Sequence, residues 1–521
     1  MRPMTFADAS PAAAPAPLRT GRICIAIQAS TPAELFSRAE AALADSKFLE
    51  LRLDSLPRPA AAQAGIEAFL ARHKDAILLA TCRSTLAGGA FEGGFVAEME
   101  ILAQATQAGC RIADLSVESA EEAGPEQVEQ FRQRLRSASA LLLVSFHDFT
   151  GTPDLHQAAR RIVAFHPDFV KIVSTAQKLT DNLAVLELLA ARPASERVVA
   201  IAMGEQGLLS RVLSPRSGAE FTFASSGEGA ETAPGQPTAR TLLDLYRLEQ
   251  IDKATKIFAV AGDPIAHSLS PLMQNTAFRR EGVNAVMLPL KTTAAADLAE
   301  LARRLPLAGA AITMPFKQQI LPHLASSGEL ARRIGACNTL RLGPGGALQG
   351  FNTDVAGVVR PLEKRLTLKG ARILVAGAGG AARAAVFGLV DQGASVSIVN
   401  RTHDRAVALA QEAGAGAIEH AQLKKVSFDV FLNSTPCGMK DCKQHLPIAE
   451  DELNARIVFD MIYNPLETPL IKLARKRHLE VITGIEMFVE QGARQFEIWT
   501  GKPAPQAAMQ RAVELEMKRR G

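Results

Sequence analysis

The chain contains few cysteines and few large aromatic residues, which narrows the classes of protein to which it can belong. Among 521 residues there are six Cys, one Trp and two Tyr, and no two cysteines form a CxxC pair. Scattered cysteines of this kind are typical of reduced thiols in a cytoplasmic protein, and not of a disulfide framework. The closest two, Cys437 and Cys442, match no common zinc spacing, so the sequence predicts no metal centre.

The chain also lacks an excess of charge and a long apolar run. A net charge of +4 is small for this size, so we predict neither a nucleic-acid nor a membrane partner. No apolar run is long enough to span a bilayer. Residues 1–20 are rich in Ala and Pro and too polar for a secretory signal, which favours a disordered tail over a transit-peptide fragment. We expect a cytoplasmic location, or a plastid if the source is a plant, and the sequence specifies no oligomeric state.

The length suggests two to four domains, and the pattern divides the chain into two halves near residues 251–255. In residues 21–250, eight short apolar runs alternate with helix-length intervals. They cover 23–29, 48–53, 77–81, 112–115, 141–146, 169–173, 198–203 and 220–224. This pattern predicts a (β/α)8 barrel, with a doubly wound open sheet as the alternative. Residues 238–250 are expected to form a helix that closes the barrel.

The second half is predicted to contain two α/β subdomains. Residues 256–361 have their own α/β pattern, and residues 362–483 carry a glycine-rich dinucleotide signature. The helical stretch 484–521 is expected to return to the first of these subdomains. The predicted fold class is therefore α/β, with an N-terminal barrel followed by a two-subdomain unit that includes a Rossmann-like domain.

The glycine-rich signature follows a buried strand at 371–376 and predicts a dinucleotide site. Its residues are Gly377, Ala378, Gly379, Gly380 and Ala381. Glycines there let the backbone turn tightly against a pyrophosphate at a helix N-terminus. After the next strand, Asn400 and Arg401 stand where an acid usually meets the ribose. A guanidinium pairs with a 2′-phosphate, so NADP is predicted over NAD; an ordinary surface arginine is the alternative.

A lysine and an aspartate upstream of this signature could manage the proton that accompanies hydride transfer. Lys317 follows an apolar strand, and Asp354 ends the run Gly350-Phe351-Asn352-Thr353-Asp354. Considered alone, each of these residues would be interpreted as a charged side chain exposed to solvent. Small hydrogen-bonding residues occur around them, namely Ser268, Ser270, Asn338 and Thr353, and the set indicates a pocket for a polyhydroxylated ring.

The ordered motifs of this half resemble shikimate dehydrogenase over about 260 residues. They are Gly262-Asp263-Pro264, Ser268-Leu269-Ser270-Pro271, Thr313-Met314-Pro315-Phe316-Lys317, Asn338-Thr339, Asn352-Thr353-Asp354, Asn433-Ser434-Thr435-Pro436, Asp460-Met461-Ile462-Tyr463, and Gly484 with Gln491. The resemblance implies that Lys317 and Asp354 are catalytic. It implies that shikimate is contacted by Ser268, Ser270, Thr313, Asn338, Asp354, Tyr463 and Gln491. It implies that NADP is contacted by residues 377–381, Asn400, Arg401, Thr402, Arg405, Met461 and Gly484.

In the first half, two residues at predicted strand ends carry candidate chemistry. His147 follows the run 141–146, and Lys171 lies inside the apolar run 169–173. Desolvation of a buried lysine supplies the neutral amine needed for an imine, whereas a lysine that extends from the barrel rim is the alternative. A histidine on the neighbouring strand could act as acid and base beside that imine.

This half resembles type I 3-dehydroquinate dehydratase over about residues 21–241. The motifs are Glu50-Leu51-Arg52, Cys82-Arg83-Ser84, Ser145-Phe146-His147-Asp148, Lys171-Ile172, Ser210-Arg211, Thr222-Phe223-Ala224 and Ala233-Pro234-Gly235-Gln236. The resemblance implies an imine on Lys171 and proton transfer by His147. It also implies substrate contacts by Glu50, Arg52, Arg83, Arg211, Thr232 and Gln236, with Arg211 as the preferred carboxylate partner.

Two departures from this second family concern its acidic residues. Ala87 stands where the family usually has a glutamate, and Ser116 replaces a second expected acid. The nearby Glu92 could substitute for the first. We expect an active dehydratase, slower than is typical.

The two families catalyse consecutive reactions, and the sequence therefore predicts a bifunctional enzyme. Its substrates would be 3-dehydroquinate and 3-dehydroshikimate, its product shikimate and its cofactor NADP. One alternative is a quinate/shikimate dehydrogenase with a weakened barrel. Another is a non-catalytic metabolite sensor, although a degenerate regulator should lose catalytic groups first.

Overall fold

The structure is a computed structural model that describes residues 18–439 and 442–520. It divides into two compact units at the junction between Thr255 and Lys256, here called unit 1 and unit 2. The predicted disordered tail falls, up to residue 17, outside the described residues. Leu18 packs beside the barrel core, and its carbonyl accepts a hydrogen bond from Arg197 Nη2 at 2.9 Å.

Within the described residues, unit 1 is built around eight parallel strands. They are β1 Ile23–Ile27, β2 Phe48–Arg52, β3 Ile77–Thr81, β4 Ile112–Ser116, β5 Leu141–His147, β6 Phe169–Thr175, β7 Val198–Met203 and β8 Thr222–Ser225. The sheet order is β7-β6-β5-β4-β3-β2-β1-β8. In the described part of the chain no ladder joins β7 to β8, so the barrel is nearly closed, and the predicted fold class is confirmed for this unit.

Seven helices among the described residues connect these strands. They are α1 Pro32–Ala42, α2 Gln63–Arg72, α3 Phe95–Gln107, α4 Val117–Ser137, α5 Leu155–Val163, α6 Asp181–Ala191 and α7 Leu208–Ser217. The strands are mostly apolar because helices cover one face and the packed interior covers the other, and Glu50, Asp114 and Lys171 are exceptions. The predicted helix over 238–250 forms only in part. Residues 239–245 are helical, with a π-helical turn at Thr241–Leu245, and a short 3-10 turn follows at Leu248–Gln250, because Arg247 between them has a left-handed φ of 51°.

The first sheet of unit 2 is mixed, in the order β10-β9-β11-β13-β14-β12. Its strands are β9 Lys256–Gly262, β10 Ala285–Lys291, β11 Gly309–Ile312, β12 Ser326–Ser327, β13 Thr339–Leu342 and β14 Leu348–Phe351. The helices of this region are α8 Ser270–Arg280, α9 Ala295–Arg304, α10 Phe316–Gln319, α11 Glu329–Ile334 and α12 Asp354–Glu363.

The second sheet of unit 2 is parallel. Its first strand, β15, lies at the centre, with β16 and β17 added on one side and β18, β19 and β20 on the other. The order is β17-β16-β15-β18-β19-β20, which is the Rossmann order. The strands are β15 Arg372–Ala376, β16 Ser395–Val399, β17 Gly416–Ala417, β18 Phe428–Asn433, β19 Ala455–Asp460 and β20 Glu480–Ile482. The helices are α13 Gly380–Asp391, α14 His403–Ala413 and α15 Pro469–Lys476. A ligand site is expected outside the carboxyl end of β15, where the strand order reverses.

Two further helices, α16 Gly484–Thr500 and α17 Gln506–Arg520, pack against the first sheet of unit 2. Phe496 and Met509 join Phe258 of β9 in one buried apolar cluster, and Trp499 Nε1 donates a hydrogen bond to Leu340 O at 2.8 Å. None of the helices in the described residues has the length and apolar character needed to cross a lipid bilayer.

Candidate active sites

A cavity of about 310 Å³ opens at the carboxyl ends of the barrel strands in unit 1. It is lined by every residue predicted for this half: Glu50, Arg52, Arg83, His147, Lys171, Arg211, Thr232 and Gln236. They come from β2, β5, β6, α7 and the loops after β3 and β8, because parallel strands present their carboxyl ends on one side of a barrel. The structure therefore brings the whole predicted set together.

Lys171 lies at the centre of this cavity and is buried. Its Nζ atom is 2.9 Å from Asp114 Oδ2 and 3.5 Å from Glu50 Oε1, and it lies 4.1 Å from the centre of the Phe223 ring. Lys171 is opposite Ser145 in the β5–β6 ladder, and His147 follows two residues later on the same face of β5. The lysine therefore points into the barrel and does not extend from its rim.

His147 carries an unpaired ring nitrogen in the cavity. Among the described residues, Nδ1 is buried without a hydrogen-bond partner. Burial holds the pKa of His147 well below its usual range, and the positive charges of Arg83 and Lys171 add to this effect. The imidazole is therefore neutral near pH 7 and can accept a proton.

The three predicted arginines differ in the partners that the chain already gives them. Arg52 forms a two-pronged ion pair with Asp54, at 2.9 and 2.7 Å, and Arg83 Nη2 is 2.8 Å from Asp114 Oδ2. Arg211 is 1% exposed, and within the described residues its Nε atom has no partner. Burial lowers the pKa of Arg211 to about 10. A buried guanidinium without an anion is a strong candidate to receive a carboxylate.

The polar groups at the cavity rim are held by short local hydrogen bonds. Gln236 Oε1 accepts from both the amide and the hydroxyl of Thr232, at 2.8 and 3.1 Å. Glu50 Oε1 accepts from Thr81 Oγ1 at 2.7 Å. These bonds fix the side-chain orientations before a ligand enters.

The suggestion that Glu92 replaces the missing glutamate at Ala87 is not supported by its position. Glu92 is exposed and does not line the cavity. A different acid, Glu98 of α3, is fully buried and accepts a hydrogen bond from Ser119 Oγ at 2.5 Å. Burial raises the pKa of Glu98 to about 7, and the negative charge of Asp114 contributes.

Sequence reasoning missed Glu98, although a signal was present. Glu98 lies on the same face of α3 as the buried Leu102 and Ala105, at helical spacing. A charged residue on an apolar helix face is expensive unless it has partners inside the protein.

The predicted catalytic pair of unit 2 is in direct contact. Lys317 Nζ of α10 lies 2.5 Å from Asp354 Oδ2, at the first residue of α12. The other oxygen, Asp354 Oδ1, accepts from Asn338 Nδ2 at 2.8 Å. Asn338 Oδ1 in turn accepts from the Thr353 amide at 2.7 Å. Asn338 is 2% exposed and holds the aspartate in its orientation.

The other predicted ring-binding residues come from both subdomains of unit 2, since Tyr463 follows β19 of the second sheet. Ser268 Oγ accepts from the amide of Ser270, where α8 begins, at 3.3 Å. Thr313 follows β11, and its amide donates to Ala261 O at 3.0 Å. Tyr463 stacks on Phe488 of α16 with ring centres 5.2 Å apart.

Gln491 also projects from α16, beside the first turn of α12. Its Nε2 atom donates to Phe488 O at 3.0 Å. A Cβ atom added to Gly357 would lie 3.1 Å from Gln491 Cβ, which shows how closely α12 and α16 approach near Asp354.

The predicted cofactor residues surround the carboxyl ends of β15 and β16. Gly377 has a φ of 112°, and a Cβ there would lie 2.5 Å from Ser434 Oγ, so the turn requires glycine. Gly379 and Gly380 are exposed at the N-terminus of α13, and an added Cβ would meet no atom within 4 Å. Ala378 and Ala381, which flank these glycines, are partly exposed. This open space above a helix N-terminus fits a pyrophosphate.

A cavity of about 600 Å³ adjoins this turn. Its lining includes Gly377, Asn400, Arg401, Thr402 and Arg405, together with Cys437 and Cys442. Asn400 Nδ2 donates to Thr402 O at 2.8 Å and shapes the loop that carries Arg401 and leads to Arg405 in α14. The residues present thus fit a 2′-phosphorylated dinucleotide.

Met461 and Gly484, the remaining predicted cofactor contacts, follow β19 and β20. The Met461 amide donates to Asn433 O at 3.0 Å. A Cβ on Gly484 would lie 2.3 Å from Ile462 O, so only glycine allows α16 to begin this close to the loop after β19.

A barrel with a buried lysine, followed by a unit with a Rossmann sheet and a lysine–aspartate pair, defines a two-activity enzyme of the lyase and oxidoreductase classes. Comparisons with known proteins agree with this class. The family described as type I 3-dehydroquinase matches residues 23–253. Three families match unit 2: the shikimate dehydrogenase substrate binding domain at 260–340, shikimate / quinate 5-dehydrogenase at 361–437, and the shikimate 5′-dehydrogenase C-terminal domain at 484–514.

Similar proteins include one relative that spans both units. The chloroplastic bifunctional 3-dehydroquinate dehydratase/shikimate dehydrogenase of Arabidopsis thaliana is 32% identical over 449 residues, which are 82% of this chain and 73% of the relative. A shikimate dehydrogenase (NADP(+)) of Methanosarcina mazei is 39% identical over 272 residues, 50% of this chain and 97% of the relative. A solved Thermus thermophilus shikimate 5-dehydrogenase, in complex with NADP(H) and shikimate, is 34% identical over 50% of this chain and 99% of its own, with a TM-score of 0.47.

The chain belongs to the family of bifunctional 3-dehydroquinate dehydratase/shikimate dehydrogenases. The predictions of the family, of a lyase joined to an oxidoreductase, and of NADP as the cofactor are confirmed.

Proposed function

We propose that unit 1 dehydrates 3-dehydroquinate through an imine on Lys171, and that unit 2 reduces the resulting 3-dehydroshikimate to shikimate. The observation that carries the first half is the shared cavity. It contains a buried lysine, a neutral histidine and an arginine whose Nε atom has no partner among the residues that the structure describes. These are a nucleophile, a base and a carboxylate receptor, which are the groups that dehydration of a hydroxylated keto acid needs.

In the dehydration, the Lys171 amine attacks the ring ketone and water leaves, which gives the imine. His147 then takes a proton from the adjacent carbon, and the hydroxyl on the next carbon departs with a proton as water. Hydrolysis of the imine releases the enone and restores the amine. Arg211 would hold the ring carboxylate throughout, and Glu50 and Gln236 would accept from or donate to ring hydroxyls.

Borohydride reduction in the presence of 3-dehydroquinate tests this assignment. The wild-type protein should gain the mass of the reduced substrate on Lys171, and Lys171→Ala should gain nothing. Lys178→Ala, which removes an exposed lysine from the loop after β6, is the matched control and should be labelled like the wild type. Equal labelling of the Lys171→Ala protein would refute the role of that residue.

In the reduction, Lys317 would donate a proton to the ketone oxygen as it becomes an alkoxide. Asp354 holds the ammonium in place and is itself held by Asn338. NADPH, when bound, supplies the hydride. Its pyrophosphate would lie at Gly379 and Gly380.

The 2′-phosphate of the cofactor would lie at Arg401 and Arg405 in the adjoining cavity. Loss of NADPH absorbance with 3-dehydroshikimate tests this half of the proposal. A coupled assay from 3-dehydroquinate to shikimate tests both halves at once.

We further propose that unit 2 divides functionally at the predicted boundaries, with residues 256–361 and 484–521 binding the ring and residues 362–483 binding the cofactor.

The six cysteines are free thiols in the structure, which supports a reducing compartment such as the cytoplasm. The Arabidopsis relative is chloroplastic, so a plastid is the corresponding compartment if the source is a plant.

A further inference from the structure

The ring acid proposed for unit 2 carries a carboxylate, yet three of the side chains predicted to contact this acid are neutral and lie away from the lysine–aspartate pair in the chain. Ser268, Ser270 and Tyr463 each offer a hydroxyl and no charge. A carboxylate that leaves water for hydroxyls alone keeps an unbalanced charge, and a nearby cation would compensate it.

The last described turn of α17 brings a cation to this place. Arg520 Nη1 donates a hydrogen bond to His267 O at 3.0 Å, next to Ser268 in the chain. Burial raises the pKa of Tyr463, and the positive charge of Arg520 acts in the opposite direction, so the guanidinium lies within electrostatic range of the phenol.

The position of Arg520 is fixed by the packing of its helix. Met517, one turn earlier, is 7% exposed and belongs to the same buried cluster as Ile265 and Leu269, against which Tyr463 also packs. The end of α17 is thereby anchored beside the loop that carries Ser268.

The charge of Arg520 is only partly balanced within the chain. Its Nε atom is 2.7 Å from Glu516 Oε1, but the same carboxylate also pairs with Arg519, at 2.9 Å. These ion pairs lower the pKa of Glu516 to about 2, so Glu516 contributes one negative charge against two guanidinium groups. In the described part of the chain, Arg520 Nη2 has no hydrogen-bond partner and remains available to an anion.

We propose that Arg520 binds the carboxylate of the ring acid at the Ser268–Ser270–Tyr463 end of the reductase site. This inference rests on the proposed function of unit 2. It adds a specificity residue that lies outside the region matched by the C-terminal family, which ends at residue 514. Because the carboxylate is remote from the ketone, Arg520 should govern binding more than the chemical step.

The test compares Arg520→Gln with Arg519→Gln in the full-length protein. Both variants remove one guanidinium that pairs with Glu516, but only Arg520 reaches the loop before Ser268. We expect the KM for shikimate to rise about 10-fold in Arg520→Gln, with kcat within about twofold, from the loss of one charged hydrogen bond. Arg520→Lys should recover part of the loss, and Arg519→Gln should resemble the wild type.

Shikimate carboxamide, which lacks the negative charge, is the second probe. Its KM should be nearly equal in the wild type and Arg520→Gln. Dehydratase activity and the KM for NADP, measured on the same preparations, report whether each unit is folded.

An unchanged KM for shikimate in Arg520→Gln would overturn the inference. So would equal losses in Arg520→Gln and Arg519→Gln, or an equal loss with the carboxamide. Failure of the proposed function gives a different result, because the wild-type protein itself would then show no turnover of shikimate with NADP.

Discussion

Arg211 allows a prediction in which stability and activity change in opposite directions. Its guanidinium is 1% exposed, has an unpaired Nε atom and makes one long contact, from Nη2 to Pro234 O at 3.5 Å. Burial lowers its pKa from 12.5 to about 10, which corresponds to about 3 kcal/mol of unfavourable free energy for the charged form in the folded state. The substitution considered is Arg211→Met, which keeps an unbranched side chain as far as the position of Nε and removes the charged end of the guanidinium.

The sign of the stability effect follows from proton linkage. Near pH 7 the group is protonated in both the folded and the unfolded chain, so its full burial cost is present in the wild type. Removing the charge should therefore raise the free energy of unfolding of the barrel, by up to about 3 kcal/mol. The same change removes the proposed carboxylate partner, and the KM for 3-dehydroquinate should rise about 100-fold, or about 2.7 kcal/mol.

Arg52→Met is the matched control, because Arg52 lines the same cavity but has an ion-pair partner. Its loss leaves Asp54, whose side chain is 1% exposed, without its cation. A buried charge that loses its partner costs about 3–5 kcal/mol, so this variant should destabilise the barrel. Comparison of the two variants thus separates the free-energy cost of burying an unpaired charge from the cost of removing one partner of a buried ion pair.

Urea unfolding of the full-length variants, followed by circular dichroism, measures the stability. Trp499 is the one tryptophan of the chain and lies in unit 2, so its emission marks the unfolding of that unit. A circular dichroism transition at urea concentrations where the tryptophan emission does not change is assigned to unfolding of the barrel. A less stable barrel together with an unchanged KM in Arg211→Met would refute both parts of the reasoning.

Three other variants test single elements of the sites. Lys317→Ala should lower the rate of 3-dehydroshikimate reduction by about 100-fold or more while dehydration continues, and equal loss of both activities would contradict separate sites. Arg401→Ala should raise the KM for NADPH about 10-fold and that for NADH less than twofold; equal changes would mean that Arg401 does not recognise the phosphate. The raised pKa of Glu98, about 7 against an ordinary 4.5, means that the folded chain binds the extra proton, so barrel stability should fall by about 3 kcal/mol as the pH rises from 4.5 to 8. Glu98→Gln should remove that pH dependence, and an unaltered slope would show that Glu98 is not its source.

The strands could be predicted closely because buried parallel strands are continuous apolar runs that end at polar turns. The run 141–146 is an example, since the strand extends one residue further and ends at His147. Helix limits depended on backbone geometry that the sequence does not display. The left-handed Arg247 divides the expected helix at 238–250, although no glycine or proline marks that position.

In the candidate sites, the positions of the reactive residues could be predicted from the sequence, whereas most of their hydrogen-bond and ion-pair partners could not. Chemistry-bearing residues at strand ends could be located from spacing, and the structure brings them into one cavity in unit 1. Their partners come from other elements and depend on register. Asp114 for Arg83, Ser119 for Glu98 and Asn338 for Asp354 are examples in which the contact, more than the residue type, assigns the role.

The partners of Asp114 also separate its role from that of His147. Burial alone would raise the pKa of Asp114, but Lys171 and Arg83 together hold it below its usual range. Asp114 therefore remains an anion near neutral pH and is a poor proton acceptor, although it lies 2.9 Å from the lysine nitrogen. His147 is neutral, has a free Nδ1 and occupies the same face of the neighbouring strand. The imidazole therefore keeps a ring nitrogen that can take the α-proton, while Asp114 serves to hold Lys171 and Arg83 in position.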